Sequence, residues 1–321
     1  MTEIIRWDGH KISKPGLYAG VPMESYHNDL CIGPSVSASG LWTIFDKSEA
    51  HYYDRSYLNP FREDDEEETA AITLGRASHH AFLGEQDFLK YFVIRPEELN
   101  GKPWNGNRLD CKDWLANVDS QGLTVLKGEQ VVRMRGAAAA LGRNPLVKKG
   151  ALNGLVEHSL VWQDEETGVW IKSRPDVIPL DLGASHLPLI MSDLKMVSDV
   201  SDDGIVRGIK SFGYGVQGAV VGMGCRAVLG REMSKFTLAL VESKRPHCVR
   251  FKTLKPSDIA LGEQQVRAAL RAFKRGIDTD EWPGPGGVQS DAEWVELDSW
   301  ARGRVEAKLA QMAAREAANA G

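Results

Sequence analysis

Cysteine is scarce in this chain and widely scattered. Cys31, Cys111, Cys225 and Cys248 are the four among 321 residues, and no two form a C-x-x-C pair. That spacing argues against a zinc ribbon and fits a reduced setting. Long apolar runs are missing too. No stretch approaches the roughly 20 residues that cross a bilayer, and Met1 to His10 lacks a signal peptide's apolar core. A soluble, cytoplasmic protein with no membrane partner is therefore expected. Nor is there an excess of positive charge. Lys and Arg number 39 against 44 Asp and Glu, a formal net charge of -5, and the sequence pI is near 6.0. This balance argues against a protein that coats nucleic acid indiscriminately, while leaving room for a local basic channel. There is no internal repeat, and the length suffices for a full α/β core with additions.

The chemistry-bearing residues concentrate between Glu157 and Gln217. Two apolar, partly β-branched segments, Val169 to Ile178 and Leu189 to Lys195, flank a stretch rich in Gly, Pro and Asp. This pattern predicts paired strands joined by a hairpin connection. Alternation along the second strand sends Asp193 and Lys195 to one side and Leu194 to the opposite, core side. Asp176, at the end of the first strand, would then meet Asp193 across the pair. Two hard carboxylates at one point suit Mg²⁺ or Mn²⁺, and phosphodiester hydrolysis uses such a cation to polarise the phosphate and activate water. Lys195 would orient the water or neutralise developing charge. Tyr214 and Gln217, at helical spacing i, i+3, share a face that could look into this site. An isolated Asp-x-Lys is a weak motif, and a strand-end aspartate is more often a turn residue or cap. The combination carries the weight.

Arg174-Pro175-Asp176, Asp193-Leu194-Lys195, Tyr214 and Gln217 together resemble the PD-(D/E)XK nuclease superfamily and, within it, the exonuclease VIII (RecE-like) branch of phage and prophage exonucleases. Gly75-Arg76-Ala77-Ser78-His79 is similar to the histidine-bearing helix of the RecB-like nucleases. Ser37 to Leu41 and Glu49 to Tyr52 are similar to the N-terminal segment of RecE-like proteins. Phe236 to Glu242, the Pro246 turn and Glu281-Trp282-Pro283-Gly284 also fit, so the resemblance spans most of residues 30 to 300. It implies an α/β fold, with a PD-(D/E)XK core whose central mixed β-sheet is flanked by helices. Residues 1–69 would be an N-terminal arm and helix packed on that core, 70–282 the nuclease domain, and 283–321 an extension ending in a helix.

The resemblance further implies Asp176, Asp193, Lys195, Glu157, Gln217 and Tyr214 as the catalytic group. His79, Asp176, Asp193 and Leu194 would be the metal ligands, for Mg²⁺ with Mn²⁺ able to substitute. The scattered cysteines count against the iron-sulfur relatives of the superfamily. His79 and His80 are adjacent, so on a helix they point in different directions, and the match favours His79. Met196 departs from the family, which commonly has a hydroxyl residue after the lysine. The implied activity is a DNA exonuclease acting on double-stranded DNA ends, 5′ to 3′, whose 3′ single strands pass to a RecT-like annealing protein. A homo-oligomeric ring would reconcile this with an acidic chain, since only its lumen need be basic. The competing expectation is a catalytically silent DNA-binding or assembly protein on the same fold.

Elsewhere the signals are local. Residues 1 to 35 show no sustained periodicity and read as an irregular arm. Ser39 is placed to cap a helix, and the tyrosines Tyr52, Tyr53 and Tyr57 that follow read as packing rather than base-stacking groups. The acidic block Glu63 to Glu68 reads as a solvated loop. Helices are predicted over Thr73 to Leu89, Leu126 to Leu141, Ser257 to about Ile277 and Arg304 to Ala318, and a loop-rich flap over residues 95 to 122. Gly213 to Gly218 satisfies G-x-G-x-x-G and invites a nucleotide-binding oxidoreductase, but that motif must directly follow a strand. Lys244, Arg245, Arg250, Lys252 and Lys255, around a predicted pair of strands, are candidate phosphate contacts.

Overall fold

In the computed structural model, which describes residues 3–63, 69–83, 88–184, 186–287 and 291–319, the apolar run Met233–Glu242 becomes the inner strand of a three-stranded sheet. It lies parallel to Leu189–Val197 and antiparallel to Val249–Thr253. A parallel pair cannot be closed by a tight turn. The chain therefore leaves Val197, passes through the helices Asp202–Ser211 and Tyr214–Gly224, and returns at Met233. Phe236, Leu238, Ala239, Leu240 and Val241 are all buried, so this strand is apolar on successive residues rather than alternating.

A second, mixed sheet has five strands in the order Ile4–Arg6, Gly16–Ala19, Ser159–Gln163, Trp170–Ser173 and Ser35–Ser37. The N-terminal region is thus not an irregular arm. Its strands are only three and four residues long, too short to show a period, and they form because Ser159–Gln163 offers an edge. The expected hairpin between the Asp176 and Asp193 strands is also corrected. Trp170–Ser173 is paired on both sides by Ser159–Gln163 and Ser35–Ser37, and Pro175 has no amide hydrogen to extend a ladder. What survives of that pairing is one antiparallel bridge, Val177 to Ser192.

Together the strands make an α/β fold with a central mixed sheet flanked by helices. The helix Ala38–Asp46 is capped by Ser37 rather than Ser39. Ala70–Phe82 and Gly128–Arg143 share a cluster of Leu74, Ala77, Phe92, Leu126 and Met134. Tyr52 and Tyr53 pack on Phe273 and Trp282, in accord with a packing role. The acidic residues 64–68 lie outside the described residues. The chain divides into two compact units, residues 1–284 and 285–321, and the second carries the helix Ser299–Asn319.

The helices Tyr214–Gly224 and Pro256–Thr279 touch through glycine. A Cβ added at Gly262 would meet the Gly215 carbonyl oxygen at 2.4 Å, and backbone cannot yield as a side-chain tip does. Gly262→Ala is therefore expected to destabilise the protein by about 1–3 kcal/mol. Gly75, inside Ala70–Phe82, has nothing within 4 Å of an added Cβ. Gly75→Ala should stabilise by about 0.5–1 kcal/mol through helix propensity. Urea unfolding of the two variants checks the opposite signs.

Candidate active site

The helix Ala70–Phe82 starts at Thr69, whose hydroxyl accepts from the Ile72 amide. Burial of Leu74 and Ala77 sets its rotation, and with it the divergence of the two histidines. His80 packs against Tyr91 and Phe92, with ring centroids 5.1 and 5.3 Å apart. His79 instead brings Nδ1 to 3.3 Å from Asp176 Oδ1. The other oxygen of Asp176 accepts from the Leu194 amide at 2.7 Å. Leu194 thus reaches Asp176 through its N–H, while its side chain is buried in a cluster with Val177 and Ala239.

Asp193 is wholly buried. Its Oδ1 accepts from Gln217 Nε2 at 2.8 Å, and its Oδ2 forms an ion pair with Lys195. The Lys195 ammonium also lies over the Tyr214 ring, 5.5 Å from its centroid. Both Tyr214 and Gln217 belong to the first turn of Tyr214–Gly224, so the crossover between the parallel strands delivers them to the end of Leu189–Val197. Sequence reasoning placed His79, Asp176, Asp193, Lys195, Tyr214 and Gln217 in one site, and the chain does bring these side chains together.

Glu157 has φ 56° and its carboxylate accepts from Arg174 Nη1 at 2.9 Å. Arg174 also donates to Ser159 Oγ and the Val21 carbonyl, and its guanidinium sits 4.4 Å from the Tyr26 ring centroid. Sequence reasoning gave Arg174 no role of its own. Its signal is its place directly ahead of Pro175-Asp176. Arg174, Lys195, Tyr214 and Gln217, with Ser39 and Trp42, line a cleft of about 400 Å³.

Electrostatics sets the two carboxylates apart. Burial, and then the nearby Asp176 charge, push Asp193 up to about 6. Burial also works against ionised Asp176, but His79, Lys195 and the Leu194 amide outweigh it and hold Asp176 below the usual range. For His79 and Lys195, burial disfavours the cation while the neighbouring aspartates raise both above their ordinary values, Asp176 leading for His79 and Asp193 for Lys195. Two mutually repelling carboxylates, one buried and one partly buried, beside an imidazole are a donor set whose chemistry fits a hard divalent cation such as Mg²⁺ or Mn²⁺. In the arrangement described here His79 and Lys195 provide the balancing charge. Among the described residues, no three His, Cys, Asp or Glu groups are drawn together as a metal site.

Other candidates resolve differently. Arg250 and Lys252 both pair with Asp202, so two of the five basic hairpin residues are already engaged. The G-x-G-x-x-G run follows a helix, Asp202–Ser211, rather than a strand, which removes the dinucleotide-binding geometry. None of the cleft-lining residues comes from 95–122. Trp104 and Trp114 of that region pack edge-on against each other, with centroids 5.3 Å apart.

Residues 37–291 match the family described as PDDEXK-like domain of unknown function (DUF3799), and the chain belongs to that family. Among solved structures, it is similar in fold to a protein from Eubacterium rectale described as a "putative exonuclease". The two are 15% identical with a TM-score of 0.55, over 87% of this chain and 97% of the other. No curated protein matches the sequence.

The Gln217 amide favours the charged form of Asp193, because it donates to the carboxylate. In metal-free protein, Asp193 should titrate near pH 6, and Gln217→Leu should move that midpoint upward. Carboxyl ¹³C shifts followed against pH give the measurement. An unchanged or lowered midpoint would contradict the Gln217 role.

Proposed function

We propose that this member of the PDDEXK-like family is a divalent-metal-dependent exodeoxyribonuclease. The observation that carries this reading is the convergence of Asp176, Asp193, Lys195 and Gln217, from the bend that follows one strand, a second strand and a crossover helix, beside one cleft. Asp176 and Asp193 are the carboxylates that would hold the cation, with His79 as the third ligand. A bound Mg²⁺ supplies Lewis acidity toward the phosphate and lowers the pKa of water.

The protein's own groups do the positioning. Lys195 is held above the usual lysine range, so it acts as a fixed ammonium that orients water and offsets charge at the phosphate rather than as a proton acceptor. Tyr214 supports that ammonium from below through its ring face. Gln217 keeps Asp193 from turning away from the site. Arg174, braced by Glu157, adds positive charge to the wall of the cleft. Glu157 thus enters the reading as the group that aims Arg174.

The finer assignments rest on the RecE-like motifs: duplex ends as substrate, 5′-to-3′ polarity, transfer of the 3′ strand to a RecT-like annealing protein, and a homo-oligomeric ring. End-labelled linear duplex with Mg²⁺ tests activity and polarity together. Asp193→Ala should abolish digestion, and full activity in that variant would remove the site assignment. Lys195→Ala should depress turnover by roughly 100-fold or more with little loss of DNA affinity, because its role is realised at the transition state. His79→Ala should weaken metal dependence and recover partly at high Mn²⁺, whereas His80→Ala should be mild. Equal sensitivity of both histidine variants would remove His79 from the ligand set. A wild-type protein that binds duplex ends without cutting them would favour the silent DNA-binding alternative.

A further inference from the structure

Ser37 and Ser39 line two spaces. One is the catalytic cleft, and the other is a cavity of about 280 Å³ bounded also by Lys172, Arg55, Arg62 and His51. Among the described residues, no carboxylate lines this second space. Lys172 is 3% exposed. Its ammonium makes one hydrogen bond among the described residues, to the Asn28 carbonyl at 3.0 Å, and otherwise faces the rings of Tyr26 and Tyr57 at 5.5 and 5.4 Å. Among the described residues no ion pair offsets its burial, which draws it down to about 8; Cys31 and Asp29 oppose that shift, and Arg174 adds to it more weakly. Arg62 donates to Asn28 Oδ1, a neutral acceptor. Arg55 is exposed and has no ion pair among the described residues.

Three cations line this cavity, one of them buried, with no carboxylate among the described lining residues, and a buried ammonium without a directly paired anion is costly. The donors are several and varied, with ammonium, guanidinium and hydroxyl groups together. That mixture matches an anion with several oxygens rather than a single-point one. We propose that this cavity is a phosphate-oxyanion site, taking a phosphate group either from the backbone of a nucleic-acid strand or from a free mononucleotide. The strand alternative rests on the nuclease reading; phosphate binding as such does not.

The test is calorimetric titration of the full, metal-free chain with inorganic phosphate at constant ionic strength. Wild type should bind at millimolar phosphate. Lys172→Met and Arg55→Gln should each weaken binding roughly tenfold, and Arg55→Gln, at an exposed position, should leave the unfolding midpoint unchanged. Asp193→Ala should leave phosphate affinity intact, so failure of the catalytic assignment and failure of this one are separable. Displacement of phosphate by an oligonucleotide with hydroxyls at both ends would assign the site to the strand backbone. Displacement by a deoxynucleoside monophosphate alone would assign it to a free nucleotide. Absence of phosphate binding by wild type, or equal binding by wild type and Arg55→Gln, would overturn the proposal.

Discussion

Two carboxylates brought to one point, Asp193 buried and Asp176 partly so, repel each other, and much of the architecture around them follows from having to hold them there. Each neighbouring element contributes a compensating group. Ala70–Phe82 brings the His79 imidazole, Leu189–Val197 brings the Lys195 ammonium and the Leu194 amide, and Tyr214–Gly224 brings the Gln217 amide. These groups come from positions 79, 194, 195 and 217, so no short segment could stabilise the pair alone. Asp193, pushed up to about 6, is the member left least compensated. A site in that condition is suited to a further cation.

Parallel pairing of Leu189–Val197 with Met233–Glu242 is the second constraint. It demands a crossover, and the crossover is what places Tyr214 and Gln217 over the strand that carries Asp193 and Lys195. The turn into that helix needs glycine. Gly213 has φ 63°, and a Cβ there would meet Trp42 Cδ2 at 2.5 Å. Trp42 lines the cleft, so the closeness that forbids a side chain at Gly213 also ties the helix Ala38–Asp46 to the wall of the site. Gly213 and Gly218 are thus explained by a left-handed turn and close packing, without a nucleotide.

Charge is distributed unevenly for a chain of net charge -5. Neither the cleft nor the neighbouring cavity is lined by a carboxylate among the described residues, and between them they gather Arg55, Arg62, Lys172, Arg174 and Lys195. The basic residues of the Val249–Thr253 strand, by contrast, are partly spent on Asp202. Local concentration of positive charge, rather than the total, governs attraction for an anionic polymer.

The sequence by itself was enough for the PD-(D/E)XK type of fold and for which side chains converge at the candidate site. Asp-x-Lys at a strand end and Tyr214 and Gln217 at helical spacing are short-range patterns, and strand alternation and helix periodicity translate them directly into shared faces. The same periodicity separates His79 from His80 in direction, though choosing between them needed the family's pattern. Tertiary structure decided which strands pair. Pro175 stops a ladder, so the expected hairpin gave way to one antiparallel bridge, and the short strand Gly16–Ala19 forms against the distant Ser159–Gln163 while Leu189–Val197 pairs in parallel with Met233–Glu242. It also decided what the charged groups do. Arg174 turns to Glu157, and Arg250 and Lys252 to Asp202. Lys172 stays buried without an ion pair among the described residues, because side-chain partnership depends on distances through space that neither composition nor spacing encodes.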